Sequence, residues 1–196
     1  FASMMELRAQ AFRFGCDIVD KNVDSIDTSS TPFKVNVGKE QFLTKSIIIT
    51  TGAEAIWLDA VNEEKHKGQG ISTCATCDGA FFRDKEVIVV GGGDSAMEEA
   101  TFLTRFCSKV TIVNRREELR ASQIMADRAR ENSKIGWKLN KVVKEWVGGQ
   151  GNFEGVVLVD TLSNEEELFK CDGAFLAIGH KPMTNFLDGQ IKLDDH

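Results

Sequence analysis

The sequence has no apolar run of the ~18–20 residues that a membrane-spanning helix requires; its longest, such as Val87-Ile88-Val89-Val90, are strand-sized. Residues 1–13 place an acid, two arginines and a glutamine among their apolar positions, which excludes a signal-peptide core there. Position 1 is not methionine, so an upstream segment is expected. There is no basic excess: 24 Lys and Arg stand against 30 Asp and Glu, a formal charge of −6, which argues against a nucleic-acid partner. No repeat of solenoid period and no low-complexity tract interrupts the chain. Nor is there a second close pair of cysteines. Cys16, Cys107 and Cys171 stand singly, and an odd total of five argues against a secreted disulfide framework. Acidic balance and reduced-style cysteine use make the cytoplasm the expected compartment, with no membrane association.

What is present reads as a folded α/β protein of 196 residues, 42% hydrophobic and 28% charged. Met4, Leu7, Ala11 and Phe14 share a helical face that Gly15 ends. Short apolar or alternating stretches follow at 17–20, 23–26 and 33–37, with Ser29, Ser30 and Pro32 as a turn of an antiparallel ribbon. A β-branched run at 47–51 leads into Gly52-Ala53, and residues 59–70 read as a polar linker. Beyond it, a strand at 86–90, a helix over about 94–106, a strand at 109–113 and a helix over about 118–131 make a parallel crossover unit. Stretches at 141–147, 155–160 and 167–170 alternate like a meander, and 173–178 is a last buried strand.

Gly91-Gly92-Gly93-Asp94-Ser95-Ala96 fits Gly-x-Gly-x-x-Ala, placed between a strand and a helix. In that motif the first glycine makes the tight turn, the next lets a pyrophosphate reach the backbone, and the small last residue lets helix and strand pack closely. The helix N-terminus offers free N–H groups to the anion. At the end of the next strand, where an NAD site carries a carboxylate, this chain has Asn114-Arg115-Arg116 and then Arg120. Guanidiniums suit a ribose 2′-phosphate through charge-assisted, bidentate bonds. Residues 115–145 hold nine Lys and Arg against five Asp and Glu, a local +4 in an acidic chain, which favours NADPH over NADH.

Cys74-Ala75-Thr76-Cys77 precedes the dinucleotide strand and runs into Asp78-Gly79. Two thiols so spaced support disulfide exchange through a thiolate, and the adjacent Asp78 can move the accompanying proton. Half a zinc site is the rival reading; it needs two further ligands, for which only His66 and the scattered cysteines offer themselves. Cys107 falls on the helix face expected to pack inward, with Ala96, Ala100 and Leu103, and reads as core.

Taken in order and spacing, the Cys74–Gly79 segment, the Gly91–Ala96 turn, and Arg115, Arg116 and Arg120 resemble the low-molecular-weight thioredoxin reductases. Thr51-Gly52-Ala53 and Ala177-Ile178-Gly179-His180-Lys181-Pro182 extend the resemblance. It implies two Rossmann-like nucleotide-binding domains of the three-layer ββα type, the NADPH domain inserted in a partial FAD domain: 1–70, 71–175 and a return over 176–196. It implies hinge strands near 68–73 and 172–180, and a homodimer. It also implies that electrons pass from NADPH through FAD to a Cys74–Cys77 disulfide and on to thioredoxin, with Asp78 as the acid. Gly91, Gly92, Gly93, Asp94, Ser95, Ala96, Arg115, Arg116, Arg120, Ile178 and Gly179 would hold NADPH, and Thr51, Gly52 and Ala53 would contact FAD. No metal is implied. Asn114 departs from the family's usual histidine. The family's first Gly-rich loop would precede residue 1 and its later flavin-binding segment would follow residue 196, so the FAD site is expected to be incomplete in this chain. An NADH-dependent flavoprotein that reduces a peroxiredoxin, and a non-catalytic nucleotide- and zinc-binding fragment, are the alternatives.

Overall fold

The β-branched runs of the sequence become the centre of a parallel sheet. In the computed structural model, which describes residues 2–149 and 151–193, the chain divides into two units, Phe1–Gly52 with Pro182–His196, and Ala53–Lys181. The smaller holds helix α1 (Ala2–Arg13) and an antiparallel sheet of β1 (Ser25–Asp27), β2 (Phe33–Val37) and β3 (Glu40–Thr44), with Ile26 opposite Val35 and Val35 opposite Phe42. The expected strands at 17–20 and 47–51 are not there. Ile48 is 88% exposed, and β-propensity without a pairing partner does not make a strand.

The larger unit opens with β4 (Ala53–Ala55), the single turn α2 (Glu63–His66), β5 (Ile71–Ser72) and the single turn α3 (Ala75–Asp78). Then come β6 (Glu86–Val90), α4 (Asp94–Leu103), β7 (Lys109–Asn114), α5 (Gln123–Glu131) and β8 (Ile135–Leu139). The meander β9 (Lys141–Gly149), β10 (Asn152–Asp160) and β11 (Glu166–Lys170) follows, and β12 (Gly173–Leu176) and β13 (His180–Pro182) close it. Five strands run parallel in the order β5-β12-β6-β7-β8.

Side chains on a strand alternate between faces. Val87 and Val89 pack with Ala96, Met97, Ala100 and Leu103 of α4, while Ile88 and Val90 pack with Trp146, Val156 and Leu158 of the meander. Helices on one face and an antiparallel sheet on the other give the three layers of the expected α/β class. Burying each of these aliphatic side chains contributes about 1.5–3 kcal/mol.

Residues 59–70 are no free linker. Glu63 is 4% exposed, and its carboxylate accepts from Leu58 N, Asp59 N and Trp146 Nε1 at 3.1–3.3 Å. Asn62 Nδ2 donates to the Trp146 carbonyl at 3.2 Å. These bonds tie the segment to β9, so the unit begins at Ala53 and not near 71. The expected hinge stretches, 68–73 and 172–180, likewise carry β5 and β12 of the parallel sheet, whereas the chain crosses between units at 52–53 and 181–182. The helix expected from about 118 starts only at Gln123, because residues 117–122 are held as a loop by the bonds described below.

On α4, half-buried Glu99 has one carboxyl oxygen, Oε2, with no partner among the described residues. Burial, then the charge of Glu98, pushes this carboxyl up to about 7. An unfolded Glu loses its proton near pH ~4.3, so between the two values the native state holds a proton that the unfolded state has released, and stability falls as pH rises through that window. Glu99→Gln should therefore raise the urea midpoint at pH 8 and leave it nearly unchanged below pH ~4. Equal midpoints for the two proteins at pH 8 would contradict a desolvated carboxyl.

Candidate active site

The Gly-rich turn lies at the C-terminal end of β6, where the sheet runs to β7 on one side and β12 on the other. Such a switch point leaves a crevice in open α/β sheets. Gly91 has φ +148°, its N–H donates to the Val113 carbonyl at 3.0 Å, and a Cβ there would run into the Ala177 carbonyl oxygen. At Gly92 a Cβ would collide with the Asn114 amide, whereas at Gly93 the space is open. Gly93 caps α4 with no side-chain bond, so the first-turn N–H groups are free for a ligand.

A cavity of about 580 Å³ sits over this turn, lined by Gly91, Gly92, Gly93, Ser95, Arg115, Arg116, Arg120, Ile178 and Gly179. The structure thus brings nine of the eleven expected nucleotide residues to one place. Ala96 is fully buried beneath the turn, as its packing role requires. Asp94 does not line the cavity: its Oδ1 accepts from Ser122 N at 2.6 Å and Ser122 Oγ at 3.0 Å.

That pair of bonds is one of three that hold the arginine loop against the glycine turn and the end of β7. The Gly92 carbonyl accepts from Arg120 N at 2.7 Å and Ala121 N at 3.0 Å. Asn114, 7% exposed, donates through Nδ2 to the carbonyls of Arg116 at 2.8 Å and Glu118 at 3.1 Å. Arg115, Arg116 and Arg120 themselves are exposed, and among the described residues none pairs with a carboxylate. Three guanidiniums that pair with no carboxylate of the described residues thus stand on a loop whose backbone is pinned.

Several lining residues had no sequence signal. Ile56 and Leu58 come from the stretch flanking the supposed linker, and Lys141, Val142 and Val143 from the start of β9. Lys141 is ion-paired to Asp160 at 2.9 Å. Only the tertiary fold carries these side chains to the cavity.

Cys74 and Cys77 are joined by a disulfide, Cα–Cα 5.3 Å, across α3. Cys74 is half-buried and Cys77 exposed. The Cys77 N–H donates to Cys74 Sγ at 3.2 Å, and Asp78 N donates to the Cys74 carbonyl at 3.1 Å. Bonded to each other, the sulfurs are not thiolate ligands for a metal in this form, and His66 is buried edge-on against Phe153 at 5.4 Å. Burial pushes the Cys107 thiol up to about 11 and the Cys171 thiol up to about 12, which leaves both inert at neutral pH. Half-buried Asp78 holds its Oδ2 at 2.6 Å from Ser72 Oγ.

Thr51 Oγ1 donates to the Met183 carbonyl at 2.6 Å, and Met183 N donates to the Gly52 carbonyl at 3.0 Å. Ala53 starts β4, which pairs with β13. None of the three lines the nucleotide cavity.

Comparison with known proteins agrees with this geometry. Residues 7–196 match the pyridine nucleotide-disulphide oxidoreductase domain family. A thioredoxin reductase of Mycolicibacterium smegmatis is 46% identical over 192 residues, covering 98% of this chain and 61% of the relative. The solved thioredoxin reductase of Lactococcus lactis superposes with a TM-score of 0.81 at 36% identity, over 97% of this chain and 63% of that one. That of Giardia duodenalis gives 0.83 at 36% identity, over 99% and 64%. The chain spans less than two thirds of the length of each. It belongs to the pyridine nucleotide-disulphide oxidoreductase family, and the relatives it resembles within that family are thioredoxin reductases.

Proposed function

We propose that this chain carries the dinucleotide-binding and disulfide-bearing parts of an NADPH-dependent flavoprotein disulfide reductase that acts on thioredoxin. The observation that carries this reading is a CxxC disulfide in the same structural unit as a Rossmann cavity edged by three guanidiniums that pair with no carboxylate of the described residues. The cavity fits a dinucleotide phosphate: Gly91 and Gly92 let the turn close down on the Ala177 carbonyl and the Asn114 amide, Gly93 opens the α4 N-terminus to a pyrophosphate, and Arg115, Arg116 and Arg120 stand where a 2′-phosphate needs positive charge. Ile178 and Gly179 form its opposite wall. Thr51, Gly52 and Ala53 are proposed to contact FAD in the holoprotein. Bound in these sites, the nicotinamide and flavin cofactors would supply the two electrons that reduce a disulfide.

The rest is done by side chains of this chain. Once Cys74 and Cys77 are reduced, one thiolate attacks the thioredoxin disulfide. A mixed disulfide forms, the thioredoxin S–S bond breaks, and the expelled thiolate takes up a proton. The second cysteine then attacks its neighbour, the Cys74–Cys77 bond re-forms, and dithiol thioredoxin leaves with two electrons and two protons. Asp78, on the same turn, is the group placed to hold and deliver a proton. A homodimer working in the cytoplasm completes the reading.

Replacing Cys74 or Cys77 by serine should abolish thioredoxin reduction in the holoprotein while NADPH still bleaches the flavin absorbance. Unchanged turnover would remove the disulfide from the reaction. Arg115→Ala combined with Arg116→Ala should raise KM for NADPH by about a hundredfold or more, since each lost charge-assisted contact costs about 1.5–3 kcal/mol, and leave KM for NADH nearly unchanged. Equal effects on both cofactors in steady-state assays would contradict a 2′-phosphate site. Asn114→Leu, which deletes both bonds to the arginine loop, should lower NADPH-over-NADH selectivity in the same direction although residue 114 carries no charge. Competition kinetics with the two cofactors test it, and unaltered selectivity would mean that the loop holds its shape without this amide.

A further inference from the structure

Asp78 has one hydrogen-bond partner for its carboxylate among the described residues, and it lies outside the CxxC motif. Ser72 ends β5, opposite Phe175 of β12, and is only 7% exposed. Its Oγ accepts from the Cys74 backbone N–H at 3.0 Å and stands 2.6 Å from Asp78 Oδ2, with the Cys74 carbonyl further away at 3.4 Å. A hydroxyl has one proton and two lone pairs. With one lone pair taken by the peptide, the proton goes to the nearer and more basic partner, the Asp78 carboxylate. A short O–H···O⁻ bond of this kind is among the stronger neutral-to-ion contacts.

We propose that Ser72 is a positioning residue for Asp78: its hydroxyl, aimed by the Cys74 peptide, holds the carboxylate in one place on the redox turn. The proposal rests on the reading of Asp78 as the proton donor. The surroundings leave this task to Ser72. No Lys or Arg among the described residues pairs with Asp78. The element packed against the turn, α4, contributes only acids, Asp94, Glu98 and Glu99, and Asp94 is engaged by Ser122. Arg83, beyond the short helical turn Gly79–Phe82 that follows, is stacked over the Phe106 ring at 5.6 Å. The remaining titratable groups on the turn are Cys74 and Cys77 themselves. Because the same oxygen is anchored by Cys74 N, the acid is tied through one atom to the peptide of a redox cysteine, and both are tied to the sheet.

The test is kcat and KM for thioredoxin reduction by the holoprotein, in Ser72→Ala, Ser72→Thr, Ser72→Cys and Asp78→Asn. A misplaced proton donor slows the proton-coupled step without weakening thioredoxin binding, so Ser72→Ala should lower kcat by about tenfold and leave KM nearly unchanged. Ser72→Thr should restore the wild-type kcat. Ser72→Cys, which keeps the volume and weakens the donor, should lower kcat in the same direction as alanine and keeps the question answerable if the alanine variant does not fold. In the double variant with Asp78→Asn, substitution of Ser72 should add no further change. The same loss from Ser72→Ala whether or not Asp78 is replaced, or no rescue by threonine, would make Ser72 merely structural and overturn the proposal. A wild-type kcat in Asp78→Asn alone would instead remove Asp78 as the proton donor, and the proposal with it, a result told apart by needing no change at Ser72.

Discussion

The close approach of two parallel strands at their C-terminal ends governs the site. β6 and β12 are neighbours, with Val90 beside Leu176, and the turn leaving β6 passes directly over the Ala177 carbonyl. Only a residue without Cβ fits there, and Gly91 adopts a backbone conformation that other residues rarely do. That packing sets the position of α4, whose N-terminus faces the crevice, and puts Ile178-Gly179 across from it. The next strand over, β7, delivers Asn114 and the arginines to the same edge. Any side chain at position 91 would push β12 and the turn apart, and the cavity would lose its walls before it lost its charges.

The second dependence is on pinned loops. Free arginine loops are entropically expensive to order on a ligand. Here the Gly92 carbonyl, the Asn114 amide and the Asp94 carboxylate spend their hydrogen bonds on backbone groups of residues 116–122, leaving the guanidiniums to face outward. Asp94 is therefore a structural member of the nucleotide motif. The CxxC turn follows a similar logic, with Ser72 bonded to both the Cys74 peptide and Asp78. In both places a buried polar side chain, Asn114 or Ser72, spends its hydrogen bonds on neighbouring residues of the same turn or loop.

The packed segment before β5 shows how local composition misleads. Residues 59–70 are polar and glycine-containing, which reads as linker, but Glu63 is buried because three N–H donors converge on its carboxylate. Those donors are Leu58 and Asp59 nearby and Trp146 far along the chain, and no local pattern announces the last. The same holds for residues 47–51: a β-branched run makes a strand only where another strand offers a ladder, and pairing is a property of the whole fold.

Local chemistry was legible in the sequence wherever short-range spacing dictates it. The Gly-x-Gly-x-x-Ala turn between strand and helix, the arginines at the end of the next strand, the CxxC spacing that closes a disulfide, the apolar runs of the buried parallel strands and the alternation of the meander are all local patterns. The tertiary structure decided what depends on distant partners. It set the boundary at Gly52–Ala53, the loop at 117–122 in place of a helix, the part played by Asp94, and the arrival of Ile56, Leu58 and Lys141 at the cavity wall. The physical reason is the same in each case: a buried donor or acceptor must find a partner, and the partner's position along the chain is set by the packing of the sheet and its two covering layers, which spacing in sequence does not encode.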